Sequence, residues 1–252
     1  VSYAAGAELP CVIVDIMRGG PGLGNIAPEQ GDYNQIVKGG GHGNYKCPVL
    51  APNSGQEMCD LTQLAFDIAE KYRTPVYVIA DGYTGQMMEP VEFGEPITNL
   101  PRQDWAVYGD KESKHNLISS IFLDPEELEK HNLMLQDKYK EIEKNELRFE
   151  EFMLDDAEYV VMGYGIVSRI LKTVVEKLRN DGVKIGLLRP ITVFPFPISK
   201  LAELSEKIKK LLVVEMNNGQ MVDDVRLAVV GKCPVEFYGR MGGVVPSMKE
   251  LY

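Results

Sequence analysis

Cysteine is scarce in this chain of 252 residues: there are four, Cys11, Cys47, Cys59 and Cys233, and no two form a C-x-x-C pair. Iron–sulfur clusters and structural zinc sites need thiolates at short, regular spacings. The pattern therefore excludes both from this chain and predicts four free thiols, with Cys11 in a buried strand. Positive charge is also short, with 27 Lys and Arg against 37 Asp and Glu and a formal net charge of −10. That disfavours nucleic acid and anionic membrane surfaces as partners, because phosphate is bound with positive charge. No run of about 18 apolar residues is present to span a bilayer. There is no signal-peptide pattern, so a cytoplasmic location is expected.

What is present has the composition of a globular protein, 44% apolar and 25% charged, enough for one large domain or two ordinary ones. The first region alternates strand and helix. "CVIVDI", "CPVLAP" and "TPVYVIAD" read as strands. Between the last two, Ser54 and Glu57 stand at capping-box spacing before a stripe of Met58, Leu61, Leu64, Ala65 and Ile68. Strand–helix–strand order favours a parallel sheet. From Glu89 onward, "MEPVEFGEPITNLPRQDW" is proline-rich and aperiodic, as a connector is. Residues 125–153 read as one long polar helix with a thin stripe of Leu128, Leu135, Tyr139 and Ile142. It is either a solvated bridge between domains or a partner-binding helix. The last hundred residues give four strands joined by three helices, a three-layer α/β domain. The predicted division is 1–105, a connector over 106–155, and 156–252. Val1 in place of Met, and a helix in "VSYAAGAELP" with no visible start, predict that an N-terminal part is missing.

The stretch "VIVDIMRGGPGLGNI" runs from a strand into Arg18 and a cluster of glycines. Gly22, Gly24 and Ala27 match G-x-G-x-x-A, but Pro28 follows at once. No apolar stripe crosses 25–38, and no acid closes the next strand, so the dinucleotide fingerprint fails. "VKGGGHGNY" and "VGKCP" fail the P-loop pattern. Two glycine-rich loops remain, and packing against a neighbouring subunit would explain them without a ligand. Arg18 stands where a parallel strand reaches its carboxyl end, the place where open α/β sheets bind ligands. Its planar fork of donors suits a carboxylate. A structural ion pair with Asp15 or Asp32 fits the residues equally well. Further on, "VVEMNNGQM" places Glu215 at a strand end with Asn217, Asn218 and Gly219 before a helix. An ordinary turn with Asn as N-cap explains it, and so does a contact with a ligand or a subunit.

The stretch "ELPCVIVDIMRGGPGLGNIAPEQGDYNQIVKGGGHGNY", with "LAPNSGQEM" and "GQMMEPVEF", resembles the α-type subunit of the 2-oxoacid:ferredoxin oxidoreductases. Within them it is most similar to the 2-oxoisovalerate (branched-chain) type, ahead of the 2-oxoglutarate and pyruvate types. The resemblance implies an incomplete thiamine-pyrimidine-type parallel-sheet domain followed by a transketolase C-terminal-like three-layer α/β domain. It implies oxidative decarboxylation of a 2-oxoacid to an acyl-CoA, with thiamine diphosphate shared with a partner subunit. Coenzyme A would be co-substrate and ferredoxin the electron acceptor. It places Mg²⁺ and a [4Fe–4S] cluster in a β-type partner, with γ and δ subunits as further partners, and puts no metal in this chain. By the same carry-over Arg18 binds the substrate carboxylate, and Gly19, Gly20 and Gly22 let the loop pass close to the cofactor. Asp32 fixes the loop or Arg18, or is a plain turn residue. His42 is a polar contact or proton donor at the site, or a loop histidine bonded to backbone. The family's aminopyrimidine-binding glutamate lies upstream of "AELP", so no catalytic residue is assigned here, and the chain alone is expected to be inactive. A non-catalytic assembly module is the rival reading.

Overall fold

The computed structural model describes residues 1–96, 98 and 102–252. The part of the proline-rich connector at 97 and 99–101 lies outside the described residues. In chain order the elements are α1 (Ser2–Gly6), β1 (Cys11–Met17), α2 (Tyr33–Val37), β2 (Val49–Leu50), α3 (Gly55–Tyr72), β3 (Pro75–Asp81), α4 (Pro125–Asn145), β4 (Phe149–Phe152), β5 (Tyr159–Met162), α5 (Gly165–Asn180), β6 (Ile185–Pro190), β7 (Thr192–Phe194), α6 (Ile198–Ser205), β8 (Lys210–Glu215), α7 (Met221–Val229), β9 (Val235–Gly239) and α8 (Met248–Leu251). No helix is long and apolar enough to cross a membrane among the described residues.

Two sheets organise the chain. The first has the order β1-β3-β2-β7, with β1, β3 and β2 parallel. Its α3 starts at Ser54, whose side chain accepts the Glu57 N–H at 3.2 Å, and ends at Arg73 in the left-handed region. Only half of the expected capping box forms, since the Glu57 carboxylate accepts from the Asn53 N–H instead. Cys11 lies in β1 but is half-buried, because β1 is the edge strand.

The second sheet has the order β4-β6-β5-β8-β9. Strands β5, β6, β8 and β9 are parallel and β4 is antiparallel to β6. The crossovers α5, α6 and α7 are the three expected helices. Alternate residues of the strands feed two cores. Val161, Leu187 and Val214 pack with α5, and Met162, Leu188 and Val213 pack with α6 and α7. This is the α/β three-layer architecture.

Two elements depart from the sequence reading. The long helix stops at Asn145, and residues 149–152 form β4. Helix propensity in "KNELRFEEF" is overridden by ladder bonds to β6 and by Glu150 pairing with Lys172 and Arg189 at 2.9 and 3.2 Å. Nor is α4 merely a solvated bridge, for Leu135, Tyr139 and Ile142 are buried in the main core. The second departure is β7, which leaves the C-terminal half and pairs antiparallel with β2, so the two halves interlock.

Candidate functional site

The carboxyl end of β1 delivers Arg18 into a loop that closes on itself. Arg18 and Pro28 form a bridge, the Gly19 N–H donates to the Ala27 carbonyl at 2.8 Å, and the Asn25 N–H donates to the Gly19 carbonyl at 3.0 Å. The guanidinium lies inside this closure. Its Nη1 donates to the carbonyls of Gly19 (3.0 Å) and Leu23 (2.5 Å), and its Nη2 to that of Gly22 (3.2 Å). An arginine has five N–H donors. Three are used, and the remaining two, on Nε and Nη2, have no protein partner among the described residues. Closure this tight needs glycine at residue 24, where φ is +44° and a Cβ would collide with the Gly19 carbonyl.

Arg18 faces a cavity of about 580 Å³. Gly20, Gly22, Glu29, Asp32 and Gln35 line one side, and Asn217, Asn218, Gln220 and Met241 line the other. The structure thus brings four of the expected site residues together: Arg18, Gly20, Gly22 and Asp32. Gly19 is not on the cavity; it is buried beneath the Asn25 side chain. His42 is exposed on a separate cavity of about 590 Å³ with Tyr3, Tyr45 and Leu128, where its backbone carbonyl accepts from Ser2 Oγ at 2.6 Å. Asp32 makes no ion pair with Arg18. Burial first, then the nearby Glu29 charge, pushes its carboxyl up from the ordinary value, and Arg18 pulls it only part of the way back. Asp15 is likewise raised, by burial and then by the Asp32 charge.

The far wall exists because a loop plugs the second sheet. Strand order reverses between β5 and β8, the switch point where such sheets open a crevice. Gln30, fully buried, fills it. Its backbone N–H donates to Met216 O at 2.8 Å, its Oε1 accepts the Met216 N–H at 3.0 Å, and its Nε2 donates to Tyr164 O at 3.0 Å. Asn217 Nδ2 returns a bond to Gln30 O at 2.8 Å. Beneath it Glu215, not an asparagine, caps α7: its carboxylate accepts the N–H groups of Met221 (2.8 Å) and Val222 (2.9 Å). Burial pushes the Glu215 carboxyl up, against those donors, which lower it. Sequence reading missed Glu29, Gln30 and Gln220, whose wall partners lie far along the chain; it singled out Asn217 and Asn218 as a turn or a ligand or subunit contact, without their place opposite Arg18. The only local signal was the polar run "PEQGDY" directly after a strand-end loop.

The donor set suits an anion with a planar head. One arginine offers two spare N–H groups, and backbone and amide groups surround it. It does not suit a diphosphate with its metal. Among the described residues no three His, Cys, Asp or Glu side chains gather to hold an ion, and both Glu29 oxygens are taken by backbone N–H groups.

A family profile described as pyruvate flavodoxin/ferredoxin oxidoreductase, thiamine diphosphate-binding, matches residues 1–153. A second, pyruvate:ferredoxin oxidoreductase core domain II, matches residues 157–251. Ketoisovalerate oxidoreductase subunit VorB of Methanothermobacter marburgensis is 55% identical over all 252 residues, which span 71% of that relative. The 2-oxoglutarate synthase subunit KorA of Methanocaldococcus jannaschii is 35% identical, matched over 100% of this chain and 74% of its own length. Among solved structures, 2-oxoglutarate:ferredoxin oxidoreductase from Magnetococcus marinus, with 2-oxoglutarate, coenzyme A and succinyl-CoA bound, superposes with a TM-score of 0.82 at 21% identity. That match covers 99% of this chain and 49% of the other, and it shows a shared fold.

Proposed function

The chain belongs to the pyruvate flavodoxin/ferredoxin oxidoreductase family, and from that premise we propose that it is a subunit of an enzyme that oxidatively decarboxylates a branched-chain 2-oxoacid, 2-oxoisovalerate. Identity of 55% to ketoisovalerate subunits against 35% to a 2-oxoglutarate subunit favours the branched-chain acid. The observation that carries the site is the Arg18 guanidinium, held by three backbone carbonyls on the wall of a cavity, with two N–H groups unbonded among the described residues. In this reading it clamps the substrate carboxylate, and Gly20 and Gly22 give clearance beside the reacting carbon. Thiamine diphosphate, when bound, supplies the nucleophile for the 2-oxo carbon. Its diphosphate, Mg²⁺ and the [4Fe–4S] cluster belong to a β-type partner subunit, with coenzyme A as acyl acceptor, ferredoxin as electron acceptor, and γ and δ subunits completing the assembly. Asp32 tunes the charge of the cavity. His42 is outside this site and is a loop residue bonded through its backbone. In this reading residues 1–105 form the thiamine-type unit, 106–155 the connector and 156–252 the second unit; the family profiles, which meet between 153 and 157, support the later of these bounds. A cytoplasmic setting accords with four cysteines that form no disulfide.

The test is Arg18→Ala in the assembled complex. Loss of a hydrogen bond to a charged group, about 1.5–3 kcal/mol, raises KM for the 2-oxoacid roughly 10- to 100-fold. An unchanged KM and kcat would remove Arg18 from the substrate site.

A further inference from the structure

We propose that Glu29 is a positioning residue for Arg18, through which the 240–243 loop of the C-terminal region sets the cavity's affinity for a 2-oxoacid carboxylate. The inference rests on the Arg18 reading above and adds to it a second residue and a second loop.

The Arg18 loop has no core of its own. Leu23 is 96% exposed and Ile26 is 86% exposed, so apolar packing does not hold it. Beyond the loop's own closure, the polar contacts of residues 19–27 among the described residues go to Glu29 and to the 240–243 loop. Glu29, only 6% exposed, accepts the Gly20 N–H on Oε2 at 2.8 Å and the Gly242 N–H on Oε1 at 2.6 Å. One carboxylate therefore ties the two loops together. Asn25 adds a second tie, donating from Nδ2 to the Gly242 carbonyl at 3.0 Å while its Oδ1 accepts the Ala27 N–H at 2.9 Å. The approach is close by construction: Gly243 has φ +89°, and a Cβ there would collide with the Ala27 side chain.

The neighbouring loop is anchored in turn to the second sheet. The Arg240 N–H donates to Glu215 O at 3.2 Å, and Arg240 Nη1 donates to Glu250 at 2.7 Å. The carbonyls that hold the Arg18 guanidinium belong to Gly19, Gly22 and Leu23, which flank the Gly20 that Glu29 grips. Releasing Glu29 frees the acceptors that aim Arg18, and the two spare N–H groups lose their fixed direction. Charge-assisted bonds to buried backbone donors are strong enough for such aiming.

The experiment is a double-mutant cycle in the assembled complex with wild type, Arg18→Ala, Glu29→Gln and the double variant. Glu29→Gln keeps the shape but sets an amide N–H against one backbone N–H, breaking one tie. It is expected to raise KM for the 2-oxoacid about 5- to 10-fold, the effect of roughly one hydrogen bond, with kcat within about 2-fold. In the Arg18→Ala background the same change is expected to leave KM where it is. Gly243→Ala, which pushes the loops apart without touching a carboxylate, should give the same pattern and serves if Glu29→Gln does not fold. An equal multiplication of KM in both backgrounds would overturn the proposal. So would an unchanged KM for Glu29→Gln and Gly243→Ala where Arg18→Ala raises it. If Arg18→Ala alone leaves KM unchanged, the substrate assignment itself fails and the positioning role falls with it.

Discussion

Arg18 is held by carbonyls and not by a carboxylate, and this decides what it does. A guanidinium already neutralised by Asp32 would have little attraction left for a substrate; one solvated by Gly19, Gly22 and Leu23 carbonyls keeps its full charge. Its position after a strand was legible in the sequence, because a cation at the carboxyl end of a parallel strand has a meaning independent of the rest of the chain. The glycines were legible as a class but not one by one. Gly22 has open space around its Cβ position, whereas Gly24 does not. Gly24→Ala is therefore expected to raise KM for the 2-oxoacid to the Arg18→Ala value by breaking the closure, while Gly22→Ala, which only narrows the clearance, raises KM less and costs about 1 kcal/mol of stability. Steady-state kinetics with denaturant midpoints separates the two, and equal KM values for both variants would contradict this account.

Glu146 shows the other use of a buried carboxylate. It is 4% exposed at the end of α4 and meets Lys71 and Tyr72 at 2.8 Å and Arg148 at 3.0 Å. Burial alone would raise its pKa, but the bonds from Lys71, Tyr72 and Arg148 outweigh it and the pKa falls below 4.5. Its stabilisation is thus full above the unfolded value and is lost as pH drops through the lowered folded value. Thermal midpoints of wild type should fall more steeply below pH 4.5 than those of Glu146→Gln, which starts lower by about 1–3 kcal/mol, the loss of hydrogen bonds to a charged group. Parallel curves would contradict the assignment.

At the scale of elements, apolar periodicity marked α3, α5 and the parallel strands, since each buries a face whose spacing is written in its own residues. It failed where charge does the pairing. Strand β4 carries Glu150 and Glu151 and reads as helix; its partner Arg189 lies inside β6, a strand otherwise apolar. Arg189 has a side chain 3% exposed and pairs with Glu57 of α3 as well as Glu150 of β4, bonding across both sheets. Arg189→Met should lower unfolding stability by about 3–5 kcal/mol, because two partly buried carboxylates lose their cation. A loss under about 1 kcal/mol in denaturant melts would mean that the pair is solvated and not structural.

In the whole molecule, β7 crosses to the first sheet and Gln30 crosses to the second, so the cavity is a product of both halves. No linear reading of the chain gives that, because Asn217 and Arg18 are joined only by the fold. Family membership names the chemistry. Substrate identity is the central claim, and the most direct measurement is 2-oxoacid-dependent reduction of a viologen dye by the assembled complex. The reduction is compared for 2-oxoisovalerate, 2-oxoglutarate and pyruvate with coenzyme A present. The account predicts the highest kcat/KM with 2-oxoisovalerate; a higher kcat/KM with 2-oxoglutarate or pyruvate, or no reduction with any of the three, would contradict it.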